Sequence, residues 1–244
     1  MCGGGPVASA DVRATDWIAN LGQEFDYTVA SVIPRCFARC VRVFHPARRG
    51  VSGARQPVEV RWSDVAARNH RLMHPTAEWG SLTGSWKLES QPGLWDAPPA
   101  IGSLPVAVAE RLLVTLMKHT RTPELFWFGI WSGYDGLPQP LVKSAGYFRL
   151  SEREMLLLNG SGTAALTSPL GSDDTQLANL WWPQDRSWCV STDIDLMTTF
   201  VAGDDDCITS LLTQPNLEVL EASFKQRVTW DADTLNPLPE APNW

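Results

Sequence analysis

The stretch Leu125-Phe126-Trp127-Phe128-Gly129-Ile130-Trp131 constrains the fold of this chain more than any other. Successive strand side chains point to opposite faces. Leu125, Trp127 and Trp131 therefore share one face, and Phe126, Phe128 and Ile130 share the other. Both sets are apolar, so both faces need a cover, and the spacing predicts a strand in the middle of a sheet. Gly129 leaves a gap on the first face, where a neighbouring element or a ligand can approach closely.

Other segments supply neighbours for that strand. Strand patterning falls at 36–44, 58–62, 146–150, 154–158, 188–192, 198–201 and 217–220. Tyr27 to Ile33 is β-branched and apolar until Pro34 interrupts it. The strongest helical pattern is 106–118 behind Pro105, with Val108, Leu112, Leu113 and Leu116 on one face. Shorter helices are expected from Asp16, from Ser63 to about His70, and from Gly203-Asp204 to about Thr213. Strands and helices do not alternate as βαβ units. The expectation is α+β: a mostly antiparallel mixed sheet around 125–131 with three to four flanking helices. We expect one domain over 12–235 with a long loop at 80–104, a Gly-rich flexible tail at 1–11 and a Pro-rich tail at 236–244.

Twelve tryptophans in 244 residues form the second unusual feature. Three stand in Trp181-Trp182-Pro183-Gln184-Asp185-Arg186-Ser187-Trp188, around an Asp-Arg pair. Arg stacked on indole is a common structural device, and the same grouping is enriched at interface hot spots. Trp181, Trp182, Asp185, Arg186 and Trp188 are accordingly the candidate binding residues, on a loop that closes the core or on an aromatic-lined surface.

This segment, with Phe44-His45-Pro46, Val60-Arg61-Trp62 and His119-Thr120-Arg121-Thr122-Pro123, resembles an uncharacterised family of actinobacterial proteins. The resemblance runs from about Trp17 to Leu220 and implies a bacterial cytoplasmic protein. That family has no established activity, so no catalytic residue is carried over.

Motifs for catalysis fit poorly. His70-x-x-x-His74 has the spacing to face one metal, with His45, His119, Glu78 or Asp64 as further ligands. Pro75 follows directly and pushes His74 out of helical geometry. Asp193-Ile194-Asp195 follows a strand, as metal-phosphate carboxylates do, but no Gly-rich phosphate loop precedes it. Asn159-Gly160-Ser161-Gly162 fails the nucleophile-elbow pattern, and Cys36-x-x-x-Cys40 has the wrong spacing for a zinc knuckle. Cys189 between Trp188 and Val190 reads as a small buried hydrophobe.

The net charge of −7 argues against nucleic acid, since the six arginines between Arg35 and Arg55 carry no aromatic ladder. Five scattered cysteines suit free thiols in a reducing cytoplasm. No apolar run reaches the ~18 residues of a membrane span. No cofactor is implied. The leading expectation is a non-enzymatic binding protein with a protein partner or small ligand. The alternatives are a metal-dependent hydrolase or transferase using Asp193, Asp195 and His119, or an immunity- or antitoxin-like partner suggested by acidic charge.

Overall fold

The computed structural model describes residues 4–19, 25–53, 55–171 and 175–241. Its strands are β1 (Val7–Ala8), β2 (Arg39–Phe44), β3 (Ala47–Arg49), β4 (Val58–Val60), β5 (Phe126–Trp131) and β6 (Tyr147–Leu150). They continue as β7 (Arg153–Gly160), β8 (Leu180–Pro183), β9 (Trp188–Ser191), β10 (Thr198–Gly203) and β11 (Val219–Ala222). The helices are α1 (Asp16–Ala19), α2 (Val29–Val32), α3 (Trp62–Arg68), α4 (Trp79–Thr83), α5 (Val106–Leu116), α6 (Gln139–Ser144) and α7 (Asp205–Leu212).

Nine strands make one antiparallel sheet in the order β1-β7-β5-β8-β9-β10-β2-β11, with β6 also on β7. The fold is α+β. As its composition demands, β5 lies inside the sheet between β7 and β8. The gap expected at Gly129 is filled by protein: a Cβ there would come within 2.8 Å of Phe148 and 2.9 Å of the Met155 sulfur.

The two faces of the sheet are covered differently. On one, Phe126, Phe128, Ile130, Trp181, Trp188 and Val190 pack beneath α5 and α7, whose apolar residues recur at helical spacing. Asp204 caps α7 by accepting from the Cys207 amide at 2.8 Å. On the other face, Leu157, Leu180, Trp182, Cys189 and Phe200 pack with Ile18 of α1, Val29 and Val32 of α2, and with Ile33, Phe148 and Met155. A third cluster, Phe44, Trp62, Trp79, Leu82 and Trp95 with their neighbours, forms a side lobe at the β2 end from α3, α4 and the β3–β4 hairpin.

Several expectations need correcting. Within the β-branched, apolar run Tyr27 to Ile33, Val29–Val32 is a helical turn whose first amides donate to the carbonyls of Gln226 and Phe224. Tertiary partners thereby satisfy orphan N–H groups that strand-like residues leave open. Ser63 does not cap α3. The Glu218 carboxylate, far away in sequence, accepts from the Trp62 and Ser63 amides at 2.6 and 2.7 Å. The N-terminal tail is partly sheet, because Val7 and Ala8 pair with β7. The C-terminal tail begins with a buried Asn236, whose amide group both accepts from and donates to the Leu72 backbone. The 80–104 loop packs on the body, with Trp95 and Leu104 buried. Gly102 is left-handed there (φ +74°), and a Cβ would collide with the Ile194 carbonyl at 2.5 Å, so only glycine fits. No helix among the described residues is long and apolar enough to cross a membrane.

Candidate functional site

Trp181 and Trp182 lie in β8, not in a loop, and with Trp188 they are buried. These three rings therefore do not line a surface, which corrects that part of the expectation. Trp188 anchors the helix-covered face, its Nε1–H donating to the Leu116 carbonyl at 2.9 Å. Phe126, Trp181 and Trp188 form one sealed aromatic cluster with centroids 5.1 to 6.5 Å apart.

The Asp185-Arg186 pair is not an ion pair. Pro183 to Arg186 form a turn closed by the Arg186 amide on the Pro183 carbonyl at 2.9 Å. Asp185 holds this turn against residues 120–122: it accepts from the Thr120 hydroxyl at 3.0 Å, the Arg121 amide at 2.7 Å and the Ser187 amide at 3.2 Å. Burial alone would raise the Asp185 pKa, but these donors outweigh it and the net shift is downward. Arg186 is left with no carboxylate in ion-pair range among the described residues. It is exposed and adopts φ +55°, a left-handed conformation that costs about 1–2 kcal/mol for a residue with a Cβ.

Arg186 stands beside a second, open aromatic cluster. Its guanidinium carbon is 6.0 Å from the Trp17 ring centroid. Trp17 packs edge-on against Trp182 at 5.7 Å and against Phe37 at 6.0 Å. Trp127 is the register partner of Trp182, and its Nε1–H donates to the Gln184 side chain in the same turn. Trp17, Phe37 and Trp127 are half-buried. The turn thus joins a buried indole floor to a rim of three half-buried aromatics, one exposed amide and one exposed arginine with no ion-pair partner among the described residues. The sequence exposes Trp127 as facing away from Phe126 and Phe128. Nothing in it signals that Trp17 and Phe37 arrive on the same face, because that contact spans the whole chain.

The candidate catalytic residues are otherwise engaged. Arg153 binds both Asp193, at 3.1 Å, and Asp195, at 2.5 Å. The adjoining pocket, lined by Ser31, Asn179, Thr192 and Asp193 among others, holds about 10 Å³, room for one water at most. His119 lies on the far side of the sequence from these acids and pairs with the Ser210 hydroxyl at 3.0 Å. His70 and His74 do not share a helix face, because α3 ends at Arg68 and His70 turns left-handed at φ +55°. His74 instead binds Asp233 at 2.8 Å. Among the described residues no group of three or more His, Cys, Asp or Glu side chains stands together to hold a metal ion. Asp64 is an exposed first-turn acid of α3. Cys36, Cys40, Cys189 and Cys207 are free thiols, and burial pushes all four pKa values up, Cys40 and Cys207 to about 12.

Two buried polar networks went unforeseen. In the side lobe, Arg42 donates to Glu78 at 2.9 Å and to the Ala77 carbonyl at 2.9 Å. Burial nevertheless raises Glu78 to about 7, with Arg42 opposing. Nearby, Asp233 accepts from the Ser81 hydroxyl and from the Asn236 and Leu235 amides at 2.9 and 3.0 Å. Burial would raise Asp233, yet these donors bring it down to about 2. The second network starts at His45, whose burial lowers its pKa to about 4 and keeps it neutral. Its Nδ1 lies 2.8 Å from the Ala100 carbonyl, which only accepts, so Nδ1 carries the proton. Nε2 then accepts from Thr199 at 2.8 Å, and Thr199 accepts from Thr192 at 2.6 Å. Glu78 and His45, weighed as metal ligands from sequence, are parts of these structural networks.

No protein-family model, curated protein or solved structure matches the chain.

Proposed function

We propose that this protein acts by binding a protein partner in the bacterial cytoplasm, through the open rim of Trp17, Phe37, Trp127, Gln184 and Arg186. The observation that carries this reading is Arg186: exposed, with no ion-pair partner among the described residues, and held in a strained left-handed conformation beside half-buried indoles. A strained backbone persists where surrounding structure or function demands it. Trp and Arg at the centre of a patch are the residue types that dominate interface energetics. The free thiols suit a reducing compartment. The actinobacterial resemblance belongs to the same proposal. A metal-dependent enzyme at Asp193 and Asp195 would require Arg153 to release both carboxylates. The immunity-like reading draws on overall acidity, whereas this rim presents a cation.

Affinity purification of the tagged full chain from its own host tests the proposal. A polypeptide should co-purify with the wild type and be lost from Arg186→Ala and Trp17→Ala, with the Arg186→Ala melting temperature nearly unchanged. Retention of the same polypeptide by both variants, or its absence from the wild type, would overturn the reading.

A further inference from the structure

The large sheet ends at β11, which pairs with β2 on one side only. The Phe44 amide donates to the Glu218 carbonyl at 2.9 Å. In an antiparallel ladder hydrogen-bonded pairs alternate with non-bonded ones. With Leu220 opposite Arg42 and Ala222 opposite Cys40, the inward-bonding residues are therefore Glu218, Leu220 and Ala222. The N–H and C=O groups of Val219 and Glu221 point outward, with no backbone partner among the described residues. Four backbone groups are thus presented at one edge, as a template for another strand.

From this pattern we infer that β11 pairs with β11 of a second copy of the chain, antiparallel about a two-fold axis at Leu220. Three registers keep the outward residues in bonding positions, and the chemistry selects one. Centring on Glu221 sets two glutamates directly opposite each other, a destabilising like-charge pair. Centring on Val219 sets Glu221 against Leu217 of the second copy, whose amide already donates to the Gln214 carbonyl at 3.2 Å. Centring on Leu220 pairs Val219 of each copy with Glu221 of the other. All eight outward groups are then satisfied, and Glu221 keeps its 2.8 Å ion pair with Arg39. Leu220, whose side chain is half-buried against the side-lobe cluster, stands opposite its symmetry mate at the axis as a close non-hydrogen-bonded pair. A groove of about 530 Å³, lined in part by Pro75, Ala222, Phe224 and Gln226, opens at the end of β11 where the antiparallel copy arrives. So short a ribbon gives a weak, isologous dimer, populated at high concentration.

Sedimentation equilibrium across a wide concentration range reads this directly. The wild-type mass should rise from 27.0 kDa toward twice that value. Val219→Pro removes one outward N–H while leaving the β2 pairing intact, and should stay monomeric with an unchanged far-ultraviolet spectrum. In a Cys2→Ser, Cys36→Ser background, Leu220→Cys should form a disulfide-linked dimer on mild oxidation, and Glu221→Cys should cross-link at least several-fold less. A wild type that is monomeric at every concentration would overturn the inference. So would a dimer that Val219→Pro leaves unchanged, or equal cross-linking at the two positions.

Discussion

Trp181 and Trp182 are adjacent in β8, yet they belong to different parts of the molecule. Trp181 faces α5 and α7, two helices of 11 and 8 residues that seal its aromatic cluster. Trp182 faces α1 and α2 and packs edge-on against Trp17 and Phe148, while Trp17, Phe37 and Trp127 around it are half-buried rather than sealed. α2, at four residues, is about 6 Å long, little more than one turn. One face is therefore closed by length and periodicity, while the other is closed by a few large rings. On our proposal, recognition belongs to this second face, opposite the helix-sealed core.

Substitutions of decreasing effect break or sharpen the comparison. On the sealed face, Trp188→Ala removes a fully buried indole and its bond to Leu116, and should cost about 3–5 kcal/mol in urea unfolding. On the side lobe, Asp233→Ala leaves His74, Ser81 and two amides without their acceptor, a loss of about 2–4 kcal/mol by the same assay. Glu78 adds a pH dependence. Its carboxyl is held near 7 in the folded chain against 4.5 ordinarily, so the unfolded chain ionises first. Its contribution is complete below about pH 4.5 and is lost as pH rises through 7. Glu78→Gln should flatten melting temperature against pH in that window. His45, lowered to about 4 from 6.5, acts oppositely: its contribution is present above 6.5 and lost as pH falls toward 4.

On the open face the effects shrink. Trp17→Ala should cost about 1–2 kcal/mol, less than Trp188→Ala because its ring is only half-buried. Arg186→Gly should leave stability unchanged or raise it by up to about 1 kcal/mol, since glycine adopts φ +55° without strain. A large loss of stability there would place Arg186 among the structural residues.

Much of the fold is legible in the sequence where local pattern and tertiary demand agree. The two-sided apolar run at β5, the helical face of α5 and the cap of α7 each declare themselves within a dozen residues. Legibility ends where a distant partner decides. Val29–Val32 becomes helical because carbonyls at 224 and 226 take its amides, and α3 begins at Trp62 because Glu218, just before β11, reaches across. The tryptophans of the Trp181–Trp188 segment, read as candidate surface rings, are buried. They form the floor, and the half-buried rim comes from α1, the segment before β2, and the second face of β5. Asp185 and Arg186, adjacent and opposite in charge, read as a pair, yet the turn aims them at different partners.

Hydroxyl-radical footprinting of individual tryptophans tests the division between the faces most directly. In the free protein Trp17 and Trp127 should be oxidised several-fold faster than Trp181, Trp182 and Trp188, and the co-purified partner should protect them. Trp17 and Trp127 as slow as Trp181, or labelled equally with and without that partner, would contradict the account.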